Sequence, residues 1–200
     1  MAAPIDFYFD FSSPYGYFAS VKIDELAARH GRQVNWRPIL LGPIFKVTNS
    51  TPLLNFPLKG DYATRDWERY GRLFKVPYKR PTPFPFLAVN ASRLFYWLQG
   101  RDPALAHRYA QAAYHAAFGE GKDITSAEAS ADVAQTIGVA RTEALAALND
   151  AAVKDKLRQE VDAAIQRGVF GSPLIYVDNE PFWGADRLDQ VERWLKTGGW

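Results

Sequence analysis

The sequence predicts an α/β fold in which a large all-helical segment interrupts a small sheet domain. Apolar and polar residues alternate from Ile5 and then give way to helical spacing, which is typical of a strand followed by a helix. Residues 62–167 show helical spacing almost throughout, whereas Leu174–Val177 is again a short apolar strand. The predicted order is therefore βαβ, a helical block, and ββα.

The first unit begins with a strand that has one fully apolar face, formed by Ile5, Phe7, Phe9 and Phe11. Pro14 then fits the first position of a helix, with Ser12 or Ser13 as its cap. Apolar residues continue at helical spacing to Gly31, which ends the helix, and residues 33–40 are predicted to be a second strand. This succession predicts a right-handed βαβ unit with a parallel strand pair.

After residue 40 the sequence predicts a loop, a series of helices and a return to strands. Residues 41–60, rich in proline, glycine and asparagine, are predicted to be a long loop that is functional or mobile. The predicted helices of the block are residues 62–74, 88–98, 103–118, one opened by a capping box at 125–128, 142–148 and 150–167. The chain returns with strands at Leu174–Val177 and 181–183 and a final helix at 184–196. We therefore assign residues 1–60 and 168–200 to the sheet domain and residues 61–167 to the helical insertion.

Composition excludes several classes of function. At 48% hydrophobic residues, the 200-residue chain can bury a core. The net charge is only +2 and no basic run with interleaved aromatics occurs, so nucleic acid is not an expected partner. The chain has no cysteine, and its three histidines lack metal-ligand spacing, so we expect no metal and no disulfide. Without a signal peptide or a long apolar run, a cytoplasmic protein with no membrane contact is expected.

Ser13 is the first candidate functional residue. At the start of a helix it would lie beside backbone N–H groups that have no intrahelical partner, at the positive end of the helix dipole. Such a position can hold an anion, for example a thiolate. Because the chain has no cysteine, the sulfur would have to come from another molecule. The alternative is that Ser13 is only a helix cap.

This arrangement resembles the thioredoxin fold with a helical insertion, as in the DsbA-like group. In that fold the first helix begins with Cys-Pro-x-Cys, and the matching residues here are Ser-Pro-Tyr-Gly at 13–16. Ser172-Pro173 takes the place of the cis-proline that precedes the third strand. Without either cysteine, dithiol exchange is excluded, whereas binding of an extended peptide thiol is still expected.

Four motifs bring a closer resemblance: FYFDFSSPYGY at 7–17, FGEGKDI at 118–124, GVFGSP at 168–173 and FWGADRL at 182–188. With these, the chain resembles the 2-hydroxychromene-2-carboxylate isomerases and the kappa-class glutathione transferases. The resemblance implies a glutathione-dependent isomerase that converts 2-hydroxychromene-2-carboxylate, or a close aromatic analogue, to trans-o-hydroxybenzylidenepyruvate by transient thiolate addition. Members are usually dimers, so a homodimer is expected.

The resemblance also implies how glutathione is held. Ser13 would hydrogen-bond the glutathione sulfur and act as the catalytic residue. The backbone of Ser172, which precedes Pro173, would pair with the cysteinyl part of the tripeptide. The γ-glutamyl end would be held by Trp183, Gly184, Ala185, Asp186 and Arg187, with Asp186 facing its ammonium group.

The aromatic substrate carries a carboxylate, and the candidate cations for it are Lys46, Lys59 and Arg93. Relatives carry Thr-Gly-Asn in the loop after Lys46, where this chain has Thr-Asn-Ser at 48–50. The loop ligand is therefore either Asn49 or Ser50. For Lys46 and Arg93, the alternative is a solvated charge or a structural ion pair.

Two other functions stay open at this point. A kappa-class glutathione transferase or peroxidase would use the same sulfur site on electrophiles or peroxides. A non-catalytic peptide- or thiol-binding module would use the groove beside Pro173 for an extended chain.

Overall fold

The computed structural model describes residues 3–200 and contains one four-stranded mixed sheet. Its strands are β1 (Ile5–Phe9), β2 (Val34–Pro38), β3 (Leu174–Val177) and β4 (Glu180–Trp183). The order across the sheet is β2-β1-β3-β4, where β1 and β2 are parallel and β3 is antiparallel to β1 and β4. This confirms the predicted sheet, built from a βαβ unit and a ββα unit.

Helices lie between and after these strands. They are α1 (Pro14–Ser20), α2 (Ile23–Arg29), α3 (Leu41–Thr48), α4 (Lys59–Phe74), α5 (Val89–Gln99), α6 (Pro103–Tyr114), α7 (Ala127–Thr136), α8 (Arg141–Asn149), α9 (Ala151–Gln166) and α10 (Leu188–Thr197). Helices α4 to α9 form the predicted helical block between β2 and β3. None of the helices in residues 3–200 has the length and apolar character needed to cross a membrane.

The first predicted helix is divided in the structure. Helix α1 ends at Ser20 and α2 begins at Ile23. Between them, the N–H of Lys22 donates to the carbonyl of Ala19 at 3.0 Å, a tighter bond than the regular α-helical one. The prediction of one continuous helix is therefore wrong, because this tight turn interrupts it.

Residues 41–60 are not the irregular loop that the sequence predicted, because they contain α3 and a 3-10 turn, Leu53–Asn55. Gly42 and Pro43 lie in the first turn of α3, where backbone N–H groups have no intrahelical partner and proline costs little. Leu40 before it is extended, and Asn49 ends the helix in the left-handed conformation with φ 50°. The predicted loop is wrong, and a regular helix carries Lys46.

Two boundaries in the helical block also differ from the prediction. Helix α6 passes into a π-helical turn, His115–Gly119, where a single helix was predicted. Helix α7 is capped by Ser126, whose hydroxyl oxygen accepts the N–H of Ala129 at 3.0 Å. The predicted capping box is therefore wrong by one residue.

One large hydrophobic core runs through the sheet and the helical block. Phe9 and Phe11 are completely buried at the end of β1. Phe9 contacts Trp36 of β2 and Phe95 of α5, and Phe11 packs on Tyr114 of α6. The two predicted domains therefore share this core, and the boundary between them stays a prediction.

Candidate functional site

The site begins where β1 turns into α1. Pro14 is the first residue of α1, and Ser13 is its N-cap with an extended backbone (φ −97°, ψ 114°). The Ser13 hydroxyl oxygen accepts the N–H of Gly16 at 3.1 Å. Ser13 is therefore the cap, and the alternative that Ser12 caps this helix is wrong. The Ser12 hydroxyl donates instead to the carboxylate of Asp10 at 2.8 Å.

The Ser13 hydroxyl also donates a hydrogen bond. Its acceptor is the backbone carbonyl oxygen of Ser172, 2.9 Å away, although the two residues are 159 positions apart in the chain. The Ser172–Pro173 peptide bond is cis and leads into β3. The structure thus brings Ser13, Ser172 and Pro173 together. Because a hydroxyl has one proton to donate, the Ser13 donor is directed at the protein itself in this state.

Gly16 stands where the Cys-Pro-x-Cys pattern has its second cysteine, and the structure leaves no room for a side chain there. A Cβ atom on Gly16 would overlap the hydroxyl of Tyr114 and lie 3.1 Å from the hydroxyl oxygen of Ser172. Tyr114 is completely buried and donates to the carbonyl of Asp10 at 2.9 Å. Burial raises the pKa of Tyr114 well above its usual value, so it stays a neutral donor. The helical block therefore fills the space beside Ser13.

The turn after β4 forms the second half of the predicted glutathione site. The N–H of Gly184 donates to the carbonyl of Pro173 at 3.0 Å, which ties the turn to the cis-proline. Gly184 has φ 112°, and a Cβ atom there would overlap the carboxylate of Asp186. That carboxylate pairs with the guanidinium of Arg187 at 3.0 Å, and both side chains are exposed. Ala185 between them is buried.

Trp183 is 59% exposed at the end of β4. Its indole contacts the ring of Phe170 edge-on, with 5.1 Å between the ring centroids. It also lies across Gly171, where a Cβ atom would overlap the indole nitrogen. The absence of a side chain at Gly171 therefore lets Trp183 form an aromatic wall next to the residues that precede the cis-proline.

The charge of Asp186 acts near the first turn of α1. The 3-10 turn Ala185–Arg187 packs against α1. Burial, and then the negative charge of Asp186, raise the pKa of Tyr70 to about 12. The ring of Tyr70 contacts that of Tyr15, in the first turn of α1, at 5.7 Å between centroids. The turn that carries Asp186 therefore packs on the helix that Ser13 caps, and the charge of Asp186 acts on Tyr70, a neighbour of Tyr15.

A contact that the sequence did not predict joins this first turn to the helical block. The hydroxyl of Tyr15 donates to the carboxylate of Asp66 on α4 at 2.9 Å. Asp66 is buried and also accepts from Arg69 at 2.6 Å. Burial, and then the neighbouring Asp66, raise the pKa of Tyr15, so the phenol stays neutral. Tyr15 thus fixes the Ser13 helix to α4.

Three of the predicted substrate residues lie on α3 or directly after it, and the other two lie on helices of the helical block. Lys46 is in the last turn of α3, Asn49 ends that helix, and Ser50 follows; all three are exposed. Lys59 opens α4, and its ammonium group lies 5.1 Å from the centre of the Phe56 ring. In residues 3–200, no hydrogen bond or ion pair joins these side chains to Ser13 or Ser172.

Arg93, on α5, differs from the two lysines because it is half-buried. Its Nε atom is completely buried and has no hydrogen-bond partner among the described residues. A buried polar nitrogen without a partner is costly, and such a group is often satisfied by a ligand or water. Arg93 therefore has an unused donor.

The sequence did not single out Asp10, which lies between Ser13 and the sheet. Asp10 is 3% exposed, and its N–H donates to the hydroxyl oxygen of Ser172 at 2.8 Å. The available signal was an acidic residue between Phe9 and Phe11 in a buried stretch. An acid in such a position is uncommon without a specific set of partners.

Two surface cavities lie away from Ser13. One, of about 400 Å³, lies between β4 and α10 and includes Trp183 and Arg187, two residues of the predicted γ-glutamyl site. The other, of about 600 Å³, lies between the end of α6 and α7. Within the part of the chain that the structure describes, no three metal-ligating side chains come together.

The chain is similar in sequence and in structure to known proteins. Residues 4–196 match the family of the DSBA-like thioredoxin domain. A 2-hydroxychromene-2-carboxylate isomerase of Sphingobium xenophagum is 35% identical over 198 residues, which cover 98% of this chain and 99% of that protein. Glutathione S-transferase kappa 2 of Caenorhabditis elegans is 27% identical, covering 96% of this chain and 91% of that protein.

A solved structure of a 2-hydroxychromene-2-carboxylate isomerase superimposes with a TM-score of 0.87 at 29% identity, covering 96% of this chain and 94% of that chain. The predicted thioredoxin-like fold is therefore confirmed. Isomerases and kappa-class transferases among the relatives support an enzyme of the same group. The chain belongs to the DSBA-like thioredoxin domain family, in the group of the 2-hydroxychromene-2-carboxylate isomerases and kappa-class glutathione transferases.

Proposed function

We propose that this protein is a glutathione-dependent isomerase that converts 2-hydroxychromene-2-carboxylate, or a close aromatic analogue, to trans-o-hydroxybenzylidenepyruvate. One observation carries the proposal: the Ser13 hydroxyl caps α1 at 2.9 Å from the carbonyl of Ser172, next to the cis-proline. Because the chain keeps this geometry but has no cysteine, the site is suited to a sulfur atom of another molecule. The isomerases among its relatives favour this reaction over others.

The residues present fit glutathione in three respects. An extended cysteinyl backbone can still pair with the Ser172 carbonyl, because that oxygen accepts two hydrogen bonds and Ser13 uses one. The sulfur would then lie at Ser13, beside the N–H groups at the start of α1, which favour negative charge. The γ-glutamyl end carries an ammonium group and a carboxylate, and Asp186 and Arg187 offer one charge of each sign to pair with them.

When bound, glutathione would supply a thiolate that adds reversibly to the conjugated carbon of the substrate and so allows rotation about the former double bond. The role of Ser13 is to favour the ionised sulfur. A free thiol has a pKa of about 8.5, and a hydroxyl donor together with a helix N-terminus lowers it by about one to two units.

The observed direction of the Ser13 hydroxyl adds a condition. Its proton must turn from the Ser172 carbonyl to the sulfur when glutathione binds. A thiolate forms a charge-assisted hydrogen bond, whereas a neutral thiol is a weak acceptor. Rotation of the Ser13 hydroxyl therefore stabilises the ionised sulfur more than the neutral thiol. Catalysis by the thiolate requires this difference.

The conformation of α3 favours Ser50 over Asn49 as the loop ligand. Asn49 has φ 50° at the end of α3, a position that glycine and asparagine occupy most easily. In relatives the middle residue of Thr-Gly-Asn is glycine, so Asn49 takes the helix-ending place of that glycine. Ser50, whose N–H donates to the carbonyl of Phe45 at 2.9 Å, then stands in the place of the ligand asparagine.

Arg93 is the preferred partner for the substrate carboxylate. Its Nε is buried and has no hydrogen-bond partner within residues 3–200, whereas Lys46 and Lys59 are exposed to solvent. A carboxylate would satisfy the buried nitrogen with a charge-assisted hydrogen bond. The two lysines would then contribute a general positive charge that attracts an anionic substrate.

Substitution of Ser13 tests the proposal. In Ser13→Ala the thiolate loses its donor, so the pH at which kcat/KM reaches half its maximum should rise by about one unit. Ser126→Ala is the matched control, because it removes the same kind of serine cap from α7. Each variant should lose about 1 kcal/mol of stability, but only Ser13→Ala should shift the pH profile. An unshifted profile in Ser13→Ala would contradict the role of Ser13.

Kappa-class relatives favour a second candidate, a glutathione transferase or peroxidase. Turnover of glutathione with chlorodinitrobenzene, compared with turnover of the chromene, separates the two activities. Dominant conjugation without isomerisation would favour the transferase. If Ser13→Ala and Asp186→Ala both left glutathione affinity unchanged in calorimetry, a non-catalytic peptide- or thiol-binding module would be the better account.

We also infer a homodimer. Four large apolar side chains are exposed in the segment that runs from α3 into α4, namely Val47, Leu53, Leu58 and Tyr62. Clusters of exposed apolar residues are typical of interaction surfaces. Sedimentation equilibrium of the purified protein would give twice the monomer mass of 22.5 kDa if this inference holds. The cytoplasmic location stays a prediction.

A further inference from the structure

Asp10 follows β1 directly and lies three residues before Ser13. Its carboxylate is buried and accepts three hydrogen bonds: from the N–H of Ser12 (2.8 Å), the hydroxyl of Ser12 (2.8 Å) and the N–H of Leu41 (2.7 Å). All three donors are neutral groups. Burial raises the pKa of this carboxyl in spite of them.

The backbone of Asp10 joins two further parts of the site. Its N–H donates to the hydroxyl oxygen of Ser172 at 2.8 Å. Its carbonyl accepts the N–H of Ser13 at 2.8 Å and the hydroxyl of Tyr114 at 2.9 Å. Asp10 therefore contacts the Ser13 turn, the residue before the cis-proline, the end of α6 and, through Leu41, the start of α3.

The negative charge of Asp10 does not by itself stabilise the fold. A buried carboxylate without a cation is costly, and a neutral side chain would avoid that cost. A carboxylate, however, can accept hydrogen bonds on two oxygens at once. In Asp10 one oxygen holds the Ser12 N–H and the other holds the Leu41 N–H. The two N–H groups reach different oxygens, so an amide in the same position would turn its NH2 group, a donor, toward one of them.

We propose that Asp10 is a positioning residue that fixes α3 relative to Ser13, and thereby holds the aromatic substrate against the sulfur. This inference rests on the proposed function, in which Ser13 holds the sulfur and α3, with Lys46 and Ser50 at its end, faces the substrate. Addition needs the reacting atoms within about 3–3.5 Å, and a displacement of about 1 Å costs about a hundredfold in rate.

The two ligands should respond differently when the link between Asp10 and Leu41 is broken. The proposed glutathione contacts come from Ser13, Ser172 and the turn at 183–187, and none of these lies on α3. The aromatic substrate is proposed to depend on α3. Loss of the link should therefore lower kcat, counted per glutathione-binding site, and leave the affinity for glutathione unchanged.

Leu41→Pro breaks this link with little other change. It deletes the N–H that Asp10 accepts, at the first position of α3, where proline is well tolerated. Leu40 is already extended (φ −116°, ψ 120°), as the residue before a proline must be. Leu41→Ala is the matched reference, because it also shortens the side chain but keeps the N–H.

Calorimetry with glutathione gives the number of sites and the affinity, and a chromene assay gives kcat per site. We expect kcat per site in Leu41→Pro to be about ten- to a hundredfold below that of Leu41→Ala, with glutathione affinities within about twofold. A general loss of folded protein would lower the number of sites and leave kcat per site unchanged, so it cannot imitate this result.

Asp10→Asn completes a double-mutant cycle. The asparagine should lower kcat per site in the native background and have little further effect in Leu41→Pro, where the link is already lost. Equal kcat per site in Leu41→Pro and Leu41→Ala, or an equal effect of Asp10→Asn in both backgrounds, would overturn the role of Asp10 while leaving the proposed function intact. A native protein that binds no glutathione would overturn both.

Discussion

Strand β1 and the residue after it carry two aspartates, and their surroundings differ. Asp6 lies between the guanidinium groups of Arg37 (2.8 Å) and Arg167 (2.5 Å). Burial by itself would raise the pKa of Asp6, but the hydrogen bonds and charges of both arginines outweigh it and hold the pKa below its usual value. Asp10 receives hydrogen bonds from neutral donors only, among the residues that the structure describes, and burial raises its pKa.

The difference shows what each end of the strand does. The side chains of Arg37 and Arg167 are 31% and 33% exposed, so water can replace the carboxylate of Asp6 if it is lost. The donors to Asp10 include two backbone N–H groups at the Ser12 turn and at Leu41, beside a fully buried carboxylate. Asp6 therefore forms ion pairs near the surface, whereas Asp10 joins the segments that make up the candidate site.

The largest expected effect is the loss of stability in Asp10→Ala compared with Asp6→Ala. Asp10→Ala leaves the N–H groups of Ser12 and Leu41 without acceptors, and each such group costs about 1–3 kcal/mol, so a total loss of about 2–6 kcal/mol is expected. Asp6→Ala should cost about 1 kcal/mol, because its arginines can turn to water. Urea unfolding of both variants measures this, and equal losses would remove the distinction between the two ends.

Much of this site could be predicted from local sequence. The alternation in β1, the proline that opens α1 and the Ser172-Pro173 pair each carry a local signal. The sequence could not decide between Ser12 and Ser13 as the cap, because both are serines and serine is a good cap. In the structure the Ser12 hydroxyl donates to Asp10, and the Ser13 hydroxyl caps the helix.

The role of Asp10 could not be predicted for a different reason. Its partners Leu41, Tyr114 and Ser172 are 31, 104 and 162 residues away in the chain. Helix α3 was missed because glycine and proline near its start are typical of loops as well as of first turns. Local patterns therefore predict the elements, whereas the contacts that join them depend on the assembled fold.

The next largest effect sharpens the comparison by testing how closely the Asp10 end is packed. In Gly16→Ala the new methyl group overlaps the hydroxyl of Tyr114, and overpacking of this kind costs about 1–3 kcal/mol. This outweighs the gain of up to about 1 kcal/mol that alanine brings to a helix. In the Tyr114→Phe background the oxygen is absent, so Gly16→Ala should no longer destabilise the protein.

Gly42→Ala is the matched control for this test, because Gly42 lies in the first turn of α3 and a Cβ atom there meets nothing within 4 Å. Its stability should be unchanged or slightly raised. Differential scanning calorimetry of the native protein, Gly16→Ala, Tyr114→Phe, their double variant and Gly42→Ala gives the answer. If Gly16→Ala destabilised the protein equally with Tyr114 and with phenylalanine at that position, the hydroxyl would not be the group that fills this space.

The smallest expected effect is a pH dependence of opposite sign at the two ends. The folded-state pKa of Asp6 lies below its unfolded value of about 3.9, so its contribution is complete above that value and is lost as the pH falls through the folded pKa. Asp6→Asn should therefore cost about 0.5–1 kcal/mol near pH 7 and progressively less in acid.

Asp10 should behave in the reverse way. Its folded-state pKa is raised, so the native protein loses stability as the pH rises from about 3.9 through that pKa, and Asp10→Asn should lack this loss. Urea unfolding of the native protein and both variants between pH 3 and pH 7 separates the two slopes. The two substitutions remove the same charge, one within β1 and one directly after it. Slopes of the same sign would therefore mean that the arginines around Asp6 and the neutral donors around Asp10 make no electrostatic difference.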